Sequence, residues 1–392
     1  MPGVNETSLT PERSVPFAVP DIRPADIDSV REVLLSGWLT HGRFTKSFET
    51  DFARYTEAGH ALTVANCTAA LHLACLAHGV GPGDEVIVPA MTHVATAHAV
   101  EYTGATAIFA DVDPVTGNIL CDDIRRKVSG NTRGVIVVHM AGYPCDMDAV
   151  RALCGKHSLF LIEDCAHALG TRYNGRHVGN VGSVGCFSFY PTKQIATGEG
   201  GMAVCSDDTI ARFLEKHRAF GIDTPPGERT TPGLYDVRGL GYNYRMTDFQ
   251  AALGYVQLLR YPENVGKRRA NAKIYSERLG SLRDHVDFAD FTDDCSYFLF
   301  QLLVGKQHDR DSLAAYLRKH GAGLSVHYAT PAPLMSYYAE KYSLAAASFP
   351  NAVEYAGRNI SLPVHMYLSE EDVNHVCDLV ECYFQQSPES GS

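Results

Sequence analysis

The stretch FSFYPTKQIATGEGGMAV, Phe187–Val204, places a polar loop with a single lysine, Lys193, between two apolar runs. These runs, Val184–Phe189 and Met202–Cys205, have the length and composition of buried strands. The Gly-Glu-Gly-Gly sequence of the loop indicates either a tight backbone path or a close approach to a bound molecule. Lys193 is therefore either an ordinary solvated charge or a nucleophile that forms an imine with a carbonyl group.

The two runs are the last of a series of short apolar segments that alternate with helical patterns such as Thr68–Ala77 and Val94–Tyr102. Alternation of this kind is typical of a parallel sheet covered on both faces, where ligands bind beyond the carboxyl ends of the strands. The sequence therefore predicts an α/β fold with a mainly parallel seven-stranded sheet between helices. The predicted strands are Ala61–Ala65, Glu85–Val88, Ala105–Ala110, Gly134–His139, Leu159–Ile162, Val184–Phe189 and Met202–Cys205.

Beyond Met246 the pattern changes to one that predicts a smaller α+β domain. We place the boundary near Tyr261, which gives a large domain over residues 14–260 and a small C-terminal domain over residues 261–385. The polar ends, Met1 to about Ser14 and Gln386–Ser392, are expected to be loose. The elements predicted here are a helix over Thr247–Leu258 that continues after Pro262 through Val265–Leu279, a strand over Ser296–Val304, a helix over Ser312–His320, a strand over Gly323–His327 and a closing helix over Glu370–Phe384.

Composition limits the kind of partner. The 392 residues carry 34 basic and 45 acidic side chains, and the net charge of −11 argues against nucleic acid or an anionic membrane as the main partner. No apolar run reaches the roughly 18 residues of a membrane span, and the N-terminus lacks the order of a signal peptide. The eleven cysteines are scattered without C-x-x-C spacing, which predicts no metal site and suits a reducing cytoplasm.

Three of the predicted strand ends carry polar groups. Glu163 and Asp164 follow a buried run, and they are either a salt-bridging or capping pair or the source of a carboxylate that holds a proton on a heteroaromatic nitrogen. Asn66-Cys67-Thr68 opens a helix, which indicates a cap and also a site for an anion such as phosphate. His93 precedes another helix and is either a packing residue or a flat group that stacks on a planar ligand. A lysine nucleophile, a carboxylate, a phosphate site and a stacking group are the parts that pyridoxal phosphate requires.

At this point the chain resembles the DegT-type (DegT/DnrJ/StrS) sugar aminotransferases, which are pyridoxal-phosphate enzymes of the aspartate-aminotransferase fold (fold type I). The similarity extends from Gly37 to Val373. Its most specific segments, in chain order, are NCTAALHLA, PAMTHVATAHAV, FADVDPVTGNI, IEDCAHALG, FSFYPTKQIATGEGG and GYNYRMTDFQAALG.

The resemblance implies a role for each matching residue. Lys193 corresponds to the lysine that forms the internal aldimine, Asp164 to the partner of the pyridinium nitrogen, and His167 to the residue beside the phenolic oxygen of the ring. His93 stands where the family places a stacking aromatic ring, and histidine is a departure there. Cys67 is a second departure, because that position is often glycine.

The phosphate-binding positions of the family correspond to Thr68, Ala69 and Ser188. Asn243 corresponds to an asparagine that reaches the phosphate from the neighbouring subunit, which implies a homodimer with shared active sites. The substrate-side candidates are Arg245, His327 and Tyr328, for which structural hydrogen bonding is the alternative role.

The activity implied by the resemblance is transamination, in which glutamate or glutamine provides the amino group and a keto group of a nucleotide-linked deoxysugar accepts it. Amination of a keto-cyclitol is an alternative that the cofactor motifs do not distinguish. Relatives that use the cofactor for dehydration can replace the lysine with histidine, so the presence of Lys193 disfavours that chemistry. A non-catalytic regulator that binds pyridoxal phosphate is a further alternative, but such a protein would not need Lys193 or Asp164.

Overall fold

The computed structural model describes residues 13–224, 231 and 233–386. Most of the two predicted loose ends lies outside these ranges. Arg13 is an exception, because its Nε donates to Asp372 Oδ1 at 2.7 Å and ties this end of the described chain to a C-terminal helix.

Helices and strands alternate through the first part of the chain. The helices are α1 (Pro24–Ser36), α2 (Arg43–Thr56), α3 (Cys67–Ala77), α4 (Val94–Glu101), α5 (Cys121–Lys127), α6 (Met147–His157) and α7 (Asp208–His217). The strands are β1 (His60–Val64), β2 (Glu85–Pro89), β3 (Thr106–Ala110), β4 (Thr132–Val138), β5 (Phe160–Asp164), β6 (Arg172–Tyr173), β7 (Arg176–His177), β8 (Val184–Ser188) and β9 (Gly201–Cys205).

The sheet has seven strands in the order β1-β9-β8-β5-β4-β2-β3. Neighbouring strands from β3 to β8 pair in parallel, whereas β9 is antiparallel to both β8 and β1. All seven predicted strands are present, which confirms the mainly parallel sheet. One boundary differs with consequence: β5 was predicted to end at Ile162 but continues to Asp164. The two carboxylates therefore belong to the strand itself.

Helices cover both faces of this sheet, as the apolar strands require. Val86 and Val88 of β2 pack in one apolar cluster with Leu71 of α3. Ile87 between them packs in another cluster with Leu153 of α6. This alternation follows from the period of two along a strand.

The second part of the chain forms α8 (Asp248–Leu279) and a small antiparallel sheet in the order β10-β11-β12. Short 3₁₀ turns lie at Met140–Gly142, Gly280–Leu282, Ala332–Leu334 and Ala346–Ser348. The remaining elements are β10 (Val286–Asp287), β11 (Phe300–Val304), α9 (Arg310–Lys319), α10 (Ser336–Tyr342), α11 (Pro350–Arg358), β12 (Asn359–Leu362) and α12 (Glu370–Gln386).

The prediction of a strand over Gly323–His327 was wrong. The segment changes its hydrogen-bond partner along its length, which prevents a continuous ladder. Gly323 N–H donates to Val15 O at 2.7 Å, whereas Ser325 exchanges two backbone hydrogen bonds with Ser361 of β12. These partners are distant in sequence, and nothing in the local apolar pattern reports them.

The two helical segments predicted on either side of Pro262 form one helix, α8, of 32 residues. Leu258 and Tyr261 in its first half pack with Phe48 and Phe52 of α2. Tyr275 in its second half packs in the cluster that contains the small sheet. The boundary proposed near Tyr261 thus falls inside a continuous helix, and the division into two domains stays a prediction.

Within the described ranges, no helix is both long enough and apolar enough to cross a membrane.

Arg260 of α8 connects this helix to the start of α1 through buried ion pairs. Its guanidinium donates to both Asp26 oxygens at 2.8 and 2.6 Å and to Asp21 Oδ2 at 3.0 Å. Asp26 is fully buried, and its Oδ2 also accepts from Arg23 N–H at 2.7 Å to close the capping box of α1. The guanidinium therefore compensates two carboxylates that are removed from water.

We expect Arg260→Met to lower the free energy of unfolding by about 3 kcal/mol, because it leaves the Asp26 charge buried without a cation. Urea unfolding followed by circular dichroism measures this change. Arg31→Met is the matched control, since Arg31 pairs with Asp28 on the same helix at 3.2 Å and both side chains are exposed. Equal effects of the two substitutions would contradict a special role for Arg260.

Candidate active site

The carboxyl ends of four strands meet at one edge of the large sheet. Strands β2, β4, β5 and β8 are parallel to one another. Strand β1 has the same direction, because β9 is antiparallel to both β8 and β1. Asn66, His93, Asp164 and Ser188 follow or end these strands and therefore lie at the same edge. This is the edge at which α/β sheets bind ligands.

Asp164 is the last residue of β5, and its carboxylate is buried. Oδ2 accepts from Thr96 Oγ1 at 2.8 Å and Oδ1 accepts from Ala166 N–H at 3.1 Å. The Cys67 thiol lies 3.9 Å from Oδ1. Burial raises the pKa of Asp164 above its ordinary value, although the Ala166 and Thr96 hydrogen bonds and the positive charge of Lys193 oppose this effect.

Glu163, one residue earlier in β5, faces the other side of the sheet. Its oxygens accept from His139 Nε2 at 3.0 Å and from the N–H groups of Gly179, Val181 and Gly182 at 2.8, 2.8 and 2.6 Å. Burial alone would raise the pKa of Glu163, but the His139 contact and the backbone donors outweigh it and hold the pKa below its ordinary value. Both oxygens are thus engaged in a structural network away from Asp164.

The glycines of the Lys193 loop serve a tight backbone path. Gly198 has a φ of +81°, which favours glycine. A Cβ on Gly200 would lie 2.3 Å from Thr197 Oγ1, and one on Gly201 would lie 2.6 Å from the backbone of Asn66. The tight backbone path, rather than the approach of a bound molecule, accounts for Gly200 and Gly201. The absence of a side chain at Gly201 lets β9 lie close to the start of α3.

Lys193 extends from this loop into the edge of the sheet. Its Nζ lies 4.4 Å from the centroid of the Phe298 ring and has no hydrogen-bond acceptor among the described residues. Burial lowers the pKa of Lys193 to about 8, against the opposing influence of the Asp164 charge and of Cys67. The amine is therefore far more often unprotonated at neutral pH than that of an exposed lysine.

His167 also contacts the Phe298 ring, with the two rings stacked and their centroids 4.4 Å apart. Ala141 N–H donates to its Nδ1 at 3.4 Å, and Nε2 is 3.4 Å from the Tyr328 hydroxyl. Since Nδ1 accepts, Nε2 carries the proton in the neutral ring. Burial and the neighbouring Lys193 charge hold the pKa of His167 well below its ordinary value, so the ring is neutral.

His327 and Tyr328 complete the cluster around Lys193. Burial, followed by the Lys193 and His93 charges, lowers the pKa of His327 to about 3. His327 also makes structural contacts, with Nδ1 2.9 Å from Ser361 Oγ. The Tyr328 ring meets the His93 ring edge-on at a centroid distance of 6.0 Å.

His93 has two features that bear on the alternatives for it. Its Nδ1 accepts from Ala95 N–H at 3.2 Å and caps α4. The residue keeps a solvent-exposed surface at the sheet edge. Partial desolvation of its ring, followed by the Lys193 charge, lowers the pKa of His93. The capping contact uses one ring nitrogen and leaves the ring face available.

The predicted phosphate positions lie together at the start of α3. Ser188 pairs with Gly201 across β8 and β9, and Gly201 pairs with Val64 at the end of β1. Thr68 is in the first turn of α3, where the N–H groups have no acceptor within the helix. Ala69 differs, because its N–H already donates to Asn66 Oδ1 at 2.9 Å.

Asn243 and Arg245 are not joined to this cluster by any contact among the described residues. Arg245 Nε and a terminal nitrogen donate to Asn243 Oδ1 at 3.0 and 2.8 Å, and the guanidinium lies over the Phe220 ring. Asn243 itself is exposed.

Two residues of the site escaped the sequence analysis. Thr96 donates to Asp164. Its position four residues after Thr92, near the start of a predicted helix, places the two hydroxyls side by side and was a weak sequence signal for a polar site. Phe298 lies in an apolar run that predicted a strand, and nothing in that run distinguishes it from a core residue.

Comparison with known proteins gives matches over nearly the whole chain. The profile of the DegT/DnrJ/EryC1/StrS aminotransferase family matches residues 20–381. The spore coat polysaccharide biosynthesis protein SpsC of Bacillus subtilis (strain 168) is 36% identical over 376 residues, which cover 93% of this chain and 96% of that protein. The GDP-perosamine synthase of Escherichia coli O157:H7 is 35% identical over 381 residues, which cover 94% of this chain and 98% of that protein.

A solved structure agrees with these matches. The protein Spr1654 of Streptococcus pneumoniae in its PLP form has a TM-score of 0.89 and 30% identity, and covers 95% of this chain and 99% of its own. The same protein has been solved in a PMP form. The fold type I architecture implied by the resemblance is thereby confirmed. Because both the profile and these relatives extend over almost all of the sequence, the chain belongs to the DegT/DnrJ/EryC1/StrS aminotransferase family.

Proposed function

We propose that the protein binds pyridoxal phosphate through Lys193 and transfers an amino group from L-glutamate or L-glutamine to a keto group of a nucleotide-linked deoxysugar. The observation that carries this proposal is the proximity of an unpaired lysine amine to a buried carboxylate, Asp164, at the ligand-binding edge of the sheet. The sugar class is supported by a relative that is a GDP-perosamine synthase. The amino donor is inferred from the family resemblance.

The chemistry of the residues fits the cofactor. Lys193 has an amine without a hydrogen-bond acceptor in the described part of the chain. Asp164 accepts hydrogen bonds from three neutral donors, and no cationic side chain of the described residues hydrogen-bonds to it. A buried carboxylate in this state gains most from a positively charged N–H partner. The PLP and PMP forms of a relative support the same group.

Lys193 has two tasks in this proposal. When bound, pyridoxal phosphate supplies a carbonyl carbon that reacts with amines and a protonated ring that withdraws electrons. Lys193 would hold this group through its amine, and the same amine, once free, would act as the base that moves the α-proton of the amino donor. With a pKa of about 8, roughly a tenth of the amine is neutral at pH 7, which is about 300-fold more than for an ordinary lysine.

Asp164 and His167 act on the ring. Asp164, oriented by Thr96 and Ala166, holds a proton at the ring nitrogen. His167 is neutral and lies beside the phenolic oxygen in this proposal, where an uncharged ring avoids a second positive charge next to Lys193. His93 would stack on the ring, and Thr68, Ala69 and Ser188 would hold the phosphate. For Ala69 this requires its N–H to be shared with or released from Asn66.

The remaining assignments concern the substrate and the second subunit. We assign His327 and Tyr328 to the substrate side because they lie in the Lys193 cluster. Asn243 and Arg245 have no described contact with that cluster in their own chain and are exposed or partly exposed. This supports a homodimer in which Asn243 serves the phosphate site of the partner.

The covalent assignment is tested with borohydride, which should fix pyridoxal phosphate on Lys193 and leave Lys193→Ala without label. Peptide mapping by mass spectrometry locates the attachment. Lys156→Ala is the control, because Lys156 is an exposed lysine of α6 and its loss should not change the labelling. A label on another lysine, or no label on the wild-type protein, would sink the proposal.

Asp164→Asn should slow the half-reaction with glutamate roughly 30- to 1000-fold, because the loss of a buried charge-assisted contact is worth about 2–4 kcal/mol. Cofactor attachment should change far less, since Lys193 and the phosphate site remain. The measurement is single-turnover conversion of bound cofactor, with glutamate and glutamine tested separately.

The matched control is Glu163→Gln, one residue away on the opposite face of β5. It should lower stability through its buried network and leave the half-reaction rate of the folded protein close to that of the wild type. The assignment of the ring-nitrogen partner is wrong if Asp164→Asn reacts as fast as the wild type.

The shared site is tested by mixing Lys193→Ala and Asn243→Ala subunits. Each variant should be inactive alone, and random exchange should restore roughly a quarter of the sites, since each heterodimer regains one intact site. A mixture of Lys193→Ala with Asp164→Asn is the control and should gain no activity beyond the residual rate of Asp164→Asn, because both residues lie in the same chain's cluster. If exchange is demonstrated and the first mixture gains nothing, the site is not shared through Asn243.

A further inference from the structure

The Phe298 ring contacts both Lys193 and His167. Lys193 Nζ lies 4.4 Å from the ring centroid. The His167 ring is stacked on Phe298 at a centroid distance of 4.4 Å and an interplanar angle of 21°. Phe298 is only 4% exposed, so its ring shields both groups from water. A phenyl ring has no donor or acceptor and can orient both neighbours without competing for their protons.

The backbone of Phe298 is connected to the same neighbours. Phe298 N–H donates to Ala141 O at 3.0 Å. Ala141 N–H in turn donates to His167 Nδ1 at 3.4 Å. One residue, Ala141, therefore binds both members of the stacked pair and fixes the tautomer of His167.

Arg268 of α8 holds Phe298 from behind. Its side chain is buried, and a terminal nitrogen lies 3.3, 3.2 and 2.6 Å from the carbonyl oxygens of Tyr297, Phe298 and Val364. Nε donates to Asn264 Oδ1 at 2.7 Å. All of these acceptors are neutral, and no carboxylate pairs with Arg268 in the described part of the chain. Burial lowers the pKa of Arg268 to about 10.

Burying a guanidinium without a counter-ion has a large desolvation cost. An apolar side chain of similar volume would avoid the desolvation of the charge. The guanidinium connects three segments: α8, the residues just before β11, and the residues just after β12. Of the residues that Arg268 binds, Phe298 is the one whose ring contacts Lys193.

We propose that Phe298 is a positioning residue that holds the Lys193 amine and the His167 ring in one arrangement, and that Arg268 fixes Phe298 in this place. The inference rests on the proposed function of Lys193 as the cofactor lysine. It extends that function to Phe298 and Arg268, which lie 105 and 75 residues after Lys193 in the sequence and come near it only through the fold.

The pH dependence of Lys193 reports on this arrangement. The ionisable groups that face Lys193 are Asp164, Cys67, His93, His167 and His327. Removing the Phe298 ring admits water, which raises the pKa of Lys193 towards its ordinary value. Loss of the contact between the amine and the ring face acts in the opposite direction, but by less, because a cation–π contact is weak compared with burial.

The experiment measures acetylation of Lys193 by acetic anhydride as a function of pH, in the full-length protein after any bound cofactor has been removed with hydroxylamine and dialysis. The wild-type midpoint should be near pH 8. Phe298→Ala should raise it by about one unit, which slows labelling at pH 7 roughly tenfold. Phe298→Tyr retains the ring and should keep the wild-type midpoint.

Arg268→Met should move the midpoint in the same direction as Phe298→Ala, and Arg268→Lys provides a second variant that keeps the charge should the first fail to fold. Arg269→Met is the matched control. Arg269 lies next to Arg268 and donates to the Cys295 and Gly170 carbonyls at 3.0 and 3.1 Å, but not to Phe298. It should reduce stability without moving the midpoint.

A folded Phe298→Ala protein with the wild-type midpoint would overturn the role of Phe298, and Arg268 variants that behave like Arg269→Met would overturn the role of Arg268. Borohydride labelling of the wild-type protein is read in parallel. If pyridoxal phosphate does not attach to Lys193, the proposed function fails, while the acetylation midpoints still report whether Phe298 controls the amine.

Discussion

The burial of the Asp164 carboxylate is the constraint on which the site depends. Removing this charge from water is unfavourable. The raised pKa of Asp164 shows that its neutral donors, Thr96, Ala166 and the Cys67 thiol, compensate the burial only in part. The nearby Lys193 side chain is partly buried, and this burial lowers the pKa of its amine. Each group would gain from a bound partner that supplies a cationic N–H to the carboxylate and a covalent bond to the amine. The site is thus built for a ligand with both.

Because successive side chains of a β-strand point to opposite faces, two adjacent residues of β5 have different roles: one faces the active site and the other a structural network. Glu163 and Asp164 are both buried acids in β5, yet Glu163 accepts four hydrogen bonds on the structural face and has a lowered pKa. Asp164 on the other face has a raised pKa. The direction of the shift distinguishes them: a satisfied carboxylate is stabilised as an anion, whereas an incompletely compensated one retains the capacity to bind a cation.

Local pattern was sufficient for the large sheet and insufficient where contacts are distant in sequence. The seven strands were predictable because strands buried on both faces are apolar almost throughout, and the strand ends then located Asp164 and His93. Gly323–His327 was mistaken for a strand because its partners, Val15 and Ser361, are far away in the chain. Phe298 was missed for the same reason: an apolar residue in an apolar run carries no sign that its ring faces a lysine rather than a core.

Helix α8 connects the stability of the protein to the geometry of the site. Arg260 in its first half compensates the buried acids at the start of α1, and Arg268 two turns later holds the carbonyl groups of Tyr297 and Phe298. The first arginine has carboxylate partners and contributes mainly to folding. The second has neutral partners, so its charge contributes less to folding than to the fixed position of the groups it binds. One helix, α8, therefore contacts both parts of the chain and also fixes the position of Phe298, whose ring contacts Lys193.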